Sequence, residues 1–442
     1  MTPVSGPRQT SVEALLDEAR RLRAKVADAD LAAYLSANIV EVLALIDGGE
    51  ALKLARAIKP RRPRLIRRID LDYLPPRGRA LCAIACALAT THRERALRIA
   101  LSIAVGDNRD LALRWLTSTL ATVNRGEALR VARHIKSSGQ RSLALLSVAR
   151  QVAAVSPRQA ERLTEQALRT IRRTKDQRDR AWALTCMLEM IPVTERQHFG
   201  DALRQAVEAA RSISDDERAH ITVLNLLEQV APHDARAAVE VARGLESDTQ
   251  RAWVLATIAA ALAHTDRRRA QRIADEALEV ARGVKKLELR EWALASVAEG
   301  LATIDRRRAL RLARSITDIN DRESALESVA DAVAASDPAA ALRIARTIQD
   351  NDLRGWAMQR IVIELMKRDP DKALRVARSI RDRGPDYHHK SLGLQYAAEA
   401  LARTNHRKAV AVARSIRDPF HRARALIEIA SVMLHAATAA SS

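Results

Sequence analysis

One octapeptide recurs along this chain with small changes, and it constrains the fold more than any other feature. It reads ALRVARHI at 128–135, ALRLARSI at 309–316, ALRIARTI at 341–348 and ALRVARSI at 373–380. Such a recurrence marks a tandem array, in which each unit repeats one supersecondary structure and stacks on its neighbours. The sequence therefore predicts stacked repeats rather than separate globular domains.

A second recurring position gives the length of the unit. A basic residue recurs in steps of 32 residues, as from Arg290 to Arg322 and on to Arg354, and other steps are four or seven residues longer. The step of 71 residues from Arg180 to Arg251 divides into 39 and 32 if Ala219 occupies the position between them. Four and seven residues are close to one and two turns of helix, so these insertions extend a helix without turning its apolar face far. The recurring residues are Arg77, Arg109, Arg141, Arg180, Arg251, Arg290, Arg322, Arg354, Lys390 and Arg422.

Each unit predicts two helices joined by a turn. In the unit that begins at Arg290, apolar residues follow helical spacing, and they are Leu294, Val297, Ala298 and Leu301 in the first helix and Ala309, Ala313 and Ile316 in the second. Asp305 and the Asp337-Pro338 pair are typical helix starts. Because no segment alternates like a strand, we predict an all-α fold, a right-handed α-solenoid of about ten two-helix repeats.

The array divides the chain into three predicted segments. Residues 1–58 form an N-terminal helical segment with a degenerate repeat that ends in ALKLARAI. Residues 59–76 form a basic linker or insertion, which is either a solvated connection or a contact for an anionic partner. Residues 77–442 form the α-solenoid of 32- to 39-residue repeats, with a C-terminal capping helix.

The repeats resemble those of known α-solenoid families. The first helices of four units carry an early tryptophan, at Trp182, Trp253, Trp292 and Trp356, and the second helices carry paired alanines such as Ala309 and Ala313. On these residues the chain is similar to tetratricopeptide-like repeat proteins and, more loosely, to HEAT-like proteins, as a degenerate form with a 32-residue hairpin. The resemblance implies stacked helical hairpins over most of the chain.

Arginine dominates the charge of the chain. There are 74 basic and 54 acidic residues, with a formal net charge of +20, which favours anionic partners unless it only reflects genomic base composition. The octapeptide turns both of its arginines away from the buried alanines. The second arginine repeats as a ladder, which either stabilises helix C-termini through the helix dipole or binds an anionic partner.

The turns between paired helices carry further arginines. Arg267 to Arg269 and Arg306 to Arg308 stand at predicted helix N-termini, where positive charge is unfavourable, so local helix energetics give no reason for them. Either they keep an exposed edge solvated or they bind a partner. The predicted anionic-partner site therefore comprises Arg267, Arg268, Arg269, Arg306, Arg307, Arg308, Arg311, Arg314, Arg343, Arg346, Arg375, Arg378 and Arg414.

The arginines that recur in the first helices have a structural interpretation. Arg322, Arg354 and Arg422 each follow an aspartate by four residues, and these are Asp318, Asp350 and Asp418. Opposite charges at this spacing form ion pairs. We therefore predict a repeated salt bridge between helices at these positions.

No pattern predicts catalysis. The chain has no glycine-rich phosphate loop, nucleophile elbow, zinc-protease motif or paired Cys-x-x-Cys. The polar segment RGPDYHHK at 383–390 favours a surface loop over a metal or catalytic site built from Asp386, His388 and His389. The three cysteines stand in apolar helical stretches, which predicts buried reduced thiols at Cys82, Cys86 and Cys186.

Together these features predict a non-catalytic helical-repeat scaffold or adaptor that binds an acidic protein or peptide and needs no cofactor or metal. The alternative is a nucleic-acid-binding α-solenoid, with DNA or RNA phosphates held by the arginine ladders. A third and weaker alternative is a repeat-fold enzyme that acts on nucleic acid.

No apolar segment is long enough for a membrane span and the N-terminus does not resemble a signal peptide, so we expect a cytoplasmic protein. The oligomeric state is left open.

Overall fold

The computed structural model describes residues 7–59, 74–105, 108–191, 196–213, 220–381 and 388–439. Over these residues the chain folds into 24 α-helices without a β-strand, which confirms the predicted all-α repeat fold. Within the described ranges, no helix combines the length and the hydropathy that a membrane crossing requires. The helices belong to two compact units, one formed by Met1–Arg173 with Leu394–Ser442 and the other by Thr174–Gly393.

The first unit is built from residues of both ends of the chain. Its helices are α1 (Pro7–Arg23), α2 (Ala29–Leu43), α3 (Gly48–Ala57), α4 (Pro76–Leu88), α5 (Arg93–Ser102), α6 (Arg109–Ala121), α7 (Arg125–Ala132), α8 (Ser138–Val152), α9 (Pro157–Arg172), α23 (His406–Ser415) and α24 (Pro419–Ala439). Helix α22 (His389–Leu401) contains the boundary between the units. The predicted insertion at 59–76 lies mostly outside the described residues, so the division at that segment stays a prediction.

The second unit is the middle of the chain. Its helices are α10 (Gln177–Met190), α11 (Arg196–Ile213), α12 (His220–Val230), α13 (Ala235–Arg243), α14 (Asp248–Leu262), α15 (Arg267–Gly283), α16 (Leu287–Ile304), α17 (Arg306–Ser315), α18 (Ile319–Ala334), α19 (Pro338–Ala345), α20 (Asn351–Met366) and α21 (Pro370–Ser379).

The helices of each unit alternate between two layers. We call the even-numbered helices A helices and the odd-numbered helices B helices. Within each unit, A helices pack on the B helix that follows and directly on the next A helix, as α14 does on α15 and α16. The A helices of a unit therefore form one layer, and its B helices form the other.

Small side chains build the interface between layers. Ala309 and Ala313 of the octapeptide are fully buried, and Ile316 is nearly so. Val297, Ala298 and Leu301 are buried in α16, which confirms the predicted stripe apart from Leu294, which is half-buried. The A helices approach closely at Gly300, where a Cβ atom would lie 2.6 Å from the carbonyl oxygen of Ala256 in α14. This packing leaves little room for aromatic side chains, which make up 2% of the sequence.

The first and last helices of the chain form a hairpin of their own. Helix α1 packs along α24 as a B helix packs along its A helix, and α24 also contacts α2 as a neighbouring A helix. Val12, Leu15, Leu16 and Ala19 of α1 are buried. Helix α24 is the predicted C-terminal capping helix, and α1 covers one of its faces. The two ends of the chain therefore meet within the first unit.

Aspartate caps start the helices where the sequence predicts them. The side chains of Asp305, Asp337 and Asp369 each accept a hydrogen bond from the backbone N–H three residues later, at the start of α17, α19 and α21. Pro338 and Pro370 follow in the first helical turn, where a missing N–H costs nothing. These caps fix the start of each B helix and hence the position of its arginines.

Candidate functional site

The arginines that recur in the A helices do not pair with the aspartate four residues before them, and Arg422 instead pairs with Glu18 at 3.7 Å. Among the described residues, Arg322 and Arg354 make no ion pair with Asp318 or Asp350. Arg322 Nη1 instead donates to the carbonyl oxygen of Ile316 at 3.3 Å, and Arg354 Nη1 donates to that of Ile348 at 2.9 Å. The prediction of a salt bridge was wrong, because the carboxylates are already used as caps of α18 and α20. The arginines instead satisfy carbonyl groups left open at the end of the preceding B helix.

Buried glutamates beside these arginines link each A helix to the start of the next A helix. Glu291 of α16 accepts hydrogen bonds from the Thr317 hydroxyl and from the Asp318 N–H at 2.6 Å. These two hydrogen bonds lower the pKa of Glu291. Glu323 of α18 likewise accepts from the N–H groups of Gln349 and Asp350, at 2.5 and 3.2 Å. The repeat pattern did not single out these glutamates, although each directly follows a recurring arginine.

Three of the turn arginines have acceptors in neighbouring helices. Arg267 Nη2 donates to the carbonyl oxygen of Ile304, at the end of α16, at 2.8 Å. Arg306 Nη1 lies 2.9 Å from a carboxylate oxygen of Asp337, and the pKa of Asp337 is lowered by the Ala340 N–H and by this guanidinium. Arg308 forms an ion pair with Asp275 of α15. The structure thus gives a reason for arginine at these helix N-termini that a single helix does not.

Four arginines at the ladder position also have internal partners among the described residues, and they are Arg169, Arg243, Arg282 and Arg414. Arg414 of α23 donates to Glu18 of α1 through Nε and Nη2, at 3.1 and 2.9 Å. Arg243 of α13 forms a bidentate pair with Glu276 of α15, at 2.7 and 2.8 Å. A partner at the Arg414 position would have to compete with an ion pair that joins the two ends of the chain.

Seven of the nine remaining predicted arginines form an exposed basic surface on successive B helices of the second unit. We call this the arginine surface, and it comprises Arg307, Arg311 and Arg314 of α17, Arg343 of α19 with Arg346 directly after it, and Arg375 and Arg378 of α21. All seven are exposed, and within the described residues none of them makes a side-chain hydrogen bond or ion pair. The attraction of Arg343 for the Asp337 carboxylate is the one charge interaction seen among them.

The arginine surface lacks compensating charge on its own helices. Helices α17 and α19 contain no acidic residue, and α21 contains only Asp371. Arg268 and Arg269 stand beside Arg267 at the start of α15, but that helix also carries Asp275, Glu276 and Glu279. The uncompensated positive charge is therefore concentrated on α17, α19 and α21.

The A layer of the second unit carries the opposite charge. Burial raises the pKa of Glu327 in α18 to about 7, and the negative charges of Asp331 and Glu299 add to this effect, whereas Arg360 opposes it. The pKa of Glu299 in α16 is also raised, by burial and then by Asp331 and Glu228. Arg360 forms an ion pair with Asp331 at 2.6 Å. The two layers thus present surfaces of different sign.

We expect Glu327→Gln to stabilise the fold at pH 8 and to have less effect at pH 5. The folded-state pKa of about 7 lies above the ordinary value of 4.5, so the folded protein holds this proton more tightly than the unfolded chain. The carboxylate therefore opposes folding above about pH 7, and the opposition fades as pH falls toward 4.5. Thermal unfolding of wild type and variant at both pH values tests this. An equal change in Tm at pH 5 and pH 8 would contradict it, and Glu246→Gln, at an exposed site, is the control.

Tryptophans follow the A layer. Trp253 and Trp292 pack edge to face with their centroids 5.4 Å apart, yet Trp292 is 40% exposed. Trp356 is 50% exposed and packs against His389. The sequence left open whether these rings pack or face solvent, and the structure shows both. They lie on A helices, whereas the arginine surface lies on B helices.

Most of the predicted surface loop at 383–390 lies outside the described residues, but His389 at its end belongs to the packed interior. His389 is buried, with Nδ1 2.8 Å from Gln359 Nε2, and it occupies the space that a side chain at Gly355 would need. Asp386 lies outside the described residues, so its place in a metal or catalytic site is not tested.

The three cysteines are free thiols, with Cys82 buried as predicted and Cys86 and Cys186 only half-buried.

Comparisons with known proteins are weak. No protein-family model and no curated protein sequence matches the chain. Among solved structures, Ton1535 from Thermococcus onnurineus NA1 is 18% identical over 73% of this chain and 98% of that chain, with a TM-score of 0.25. A circular tandem repeat protein with novel repeat topology and enhanced subunit contact surfaces is 14% identical over 98% of both chains, with a TM-score of 0.20. Function must therefore be argued from the side chains.

Proposed function

We propose that this chain is a non-catalytic helical-repeat scaffold or adaptor that binds an acidic protein or peptide along the arginine surface, in the cytoplasm. Its hairpins would then be of the tetratricopeptide-like type, on the tryptophans and paired alanines noted above. The proposal rests on one observation, which is that some arginines have an internal acceptor and others do not. Arg267, Arg306 and Arg308 at the turns and Arg322 and Arg354 in the A helices have internal acceptors, whereas the seven arginines of the arginine surface have none among the described residues.

The regular placement of these arginines suits an extended partner. Arg311, Arg343 and Arg375 occupy the same position of the octapeptide in three successive B helices. A guanidinium binds a carboxylate through two parallel hydrogen bonds, and a repeated set of them matches a partner with several carboxylates. A free arginine in solvent gives up little when such a partner binds, because no internal ion pair has to break.

Nucleic acid is the second candidate, since phosphates also bind guanidinium groups. Proteins that hold single strands usually stack bases on aromatic rings beside the basic groove. Here the tryptophans lie on A helices and the arginine surface lies on B helices, and α17, α19 and α21 contain no aromatic residue. This separation favours a carboxylate partner over a single strand.

Binding of a fluorescent oligoglutamate peptide, followed by anisotropy, tests the proposal. We expect saturable binding that weakens with salt, and a rise in Kd of about tenfold or more in the triple variant Arg311→Gln, Arg343→Gln, Arg375→Gln. A matched control removes three exposed arginines from α9, a helix that carries its own glutamates, as Arg158→Gln, Arg162→Gln, Arg172→Gln. This control should keep its affinity.

Two outcomes would contradict the proposal. The first is an equal loss of affinity in both triple variants, because net charge alone would then explain binding. The second is tight binding of single-stranded or duplex DNA at a salt concentration at which oligoglutamate does not bind, which would favour the nucleic-acid alternative.

A further inference from the structure

A cavity in the first unit lies among A helices and is separate from the arginine surface. It is lined by residues of α2, α4, α22 and α24 and has a volume of about 580 Å³. Cavities of a few hundred cubic ångströms are typical of sites for small molecules. Its lining combines a tyrosine, two arginines and three glutamates with apolar side chains.

The charges of the cavity do not cancel. Arg79 pairs with Glu41, with Nη2 3.0 Å from Oε2. Arg424 interacts electrostatically with Glu399. Glu428 has no basic partner among the described residues. Burial raises the pKa of both Glu41 and Glu399, and the negative charge of Glu428 adds to this effect. One negative charge is therefore left without compensation.

An unpartnered polar group lies in the same lining. Asn38 is 7% exposed, and its Oδ1 atom has no hydrogen-bond partner within the described part of the chain. A buried acceptor without a donor costs about 1 to 3 kcal/mol, so folded proteins rarely keep one without a use. Asn38 Oδ1 lacks a hydrogen-bond donor and Glu428 lacks a positive partner, and one ligand with a cationic N–H group would supply both.

Other lining residues suit an apolar chain attached to that charge. Val42, Leu45 and Ile427 supply aliphatic surface. The Tyr34 ring is already covered by guanidinium groups, with Cζ of Arg79 at 5.2 Å and Cζ of Arg424 at 5.5 Å from its centroid. These contacts hold the two arginines in place, so the uncompensated carboxylate of Glu428 is the available charge.

We propose that this cavity binds a small organic cation, an amine or guanidinium group carried on a short alkyl chain. The cationic group would donate to Glu428 and to Asn38 Oδ1, and the alkyl chain would lie against Val42, Leu45 and Ile427. A cation also relieves the repulsion among Glu41, Glu399 and Glu428, whose other charged or titratable neighbours in the lining are Arg79, Arg424, Tyr34, Cys86 and His435. This site is independent of the arginine surface and of the function proposed for it.

Calorimetric titration with agmatine tests the proposal. We expect saturable binding of agmatine, and no binding of 1,4-butanediol or glutarate, which lack the positive charge. Glu428→Gln should raise the Kd about tenfold or more. Glu246→Gln, at an exposed carboxylate of the second unit, should leave the Kd unchanged. Glu428 is exposed, so its substitution is expected to leave the fold intact.

A second variant separates binding from folding. Asn38→Leu removes an unpaired acceptor and keeps the branching of the side chain, and the cavity has room for the larger methyl groups. This variant should therefore weaken agmatine binding without lowering Tm. Alkylation of Cys86, read peptide by peptide, should slow when agmatine is bound and should remain unchanged with 1,4-butanediol. Glutarate binding, agmatine binding that Glu428→Gln does not weaken, or the absence of agmatine binding would each overturn the proposal. None of these results depends on oligoglutamate binding at α17, α19 and α21.

Discussion

Gly300→Ala is expected to lower the stability of the protein by about 1 to 3 kcal/mol, a large effect for the addition of one methyl group. A Cβ at this position would lie 2.6 Å from the carbonyl oxygen of Ala256 and 3.0 Å from its Cβ. Because the obstacle is the backbone of α14 rather than the end of a flexible side chain, the two A helices would have to move apart. Their separation would disturb the layer on which every B helix of this region packs.

Gly283→Ala provides the matched control. Gly283 is also a helical glycine, at the end of α15, but an added Cβ would meet no atom within 4 Å. Alanine favours helix over glycine by about 0.5 to 1 kcal/mol, so this variant should be as stable as wild type or more so. Urea unfolding followed by circular dichroism compares the two. Equal effects of the two substitutions would show that close packing of A helices is not what fixes Gly300.

Removal of α1 is expected to destabilise the protein more than any single substitution discussed above. Helix α1 buries Val12, Leu15 and Leu16 and pairs with α24 as its B helix. Loss of each buried leucine alone costs about 2 to 5 kcal/mol, and deletion also exposes an apolar face of α24. A variant without residues 1–26 should therefore unfold at a lower temperature and tend to associate.

Moving α1 to the other end of the chain should reverse this loss. If residues 7–26 follow Ala439 through a short flexible linker, α1 comes after α24 in the order of an ordinary A and B pair. We expect this rearranged chain to recover the helix content and most of the Tm of wild type. The same rearrangement with Leu16→Asp is the control and should not recover them. Failure of the rearranged chain to fold, with wild type intact, would contradict the pairing of α1 with α24.

The repeat pattern predicted the parts of the fold that depend on residues close together in sequence. Ala309, Ala313 and the cap Asp305 act within one hairpin, so their roles can be read from spacing and helix chemistry. The role of α1 escaped the sequence analysis because its partner helix is at the far end of the chain. The segment LLDEAR at 15–20 keeps the last alanine and arginine of the octapeptide, a signal that could have identified it as a B helix.

The arginines show the limit of prediction from local sequence most clearly. Arg267 has its acceptor 37 residues away at Ile304, and Arg306 has its acceptor 31 residues away at Asp337. No property of a single helix reveals these partners. Arg307 stands next to Arg306 in the same turn, yet in the described structure it has no internal acceptor. Packing between repeats, rather than composition, separates structural arginines from those available to a partner.

A comparison of two triple variants tests this division, and the proposed function with it, most directly. One removes the turn arginines as Arg267→Gln, Arg306→Gln, Arg308→Gln, and the other removes Arg311→Gln, Arg343→Gln, Arg375→Gln from the arginine surface. Both remove three charges from the second unit. We expect the turn variant to lower Tm and keep its affinity for oligoglutamate, and the surface variant to keep its Tm and lose that affinity. Equal loss of affinity in both, or loss in the turn variant alone, would contradict the account.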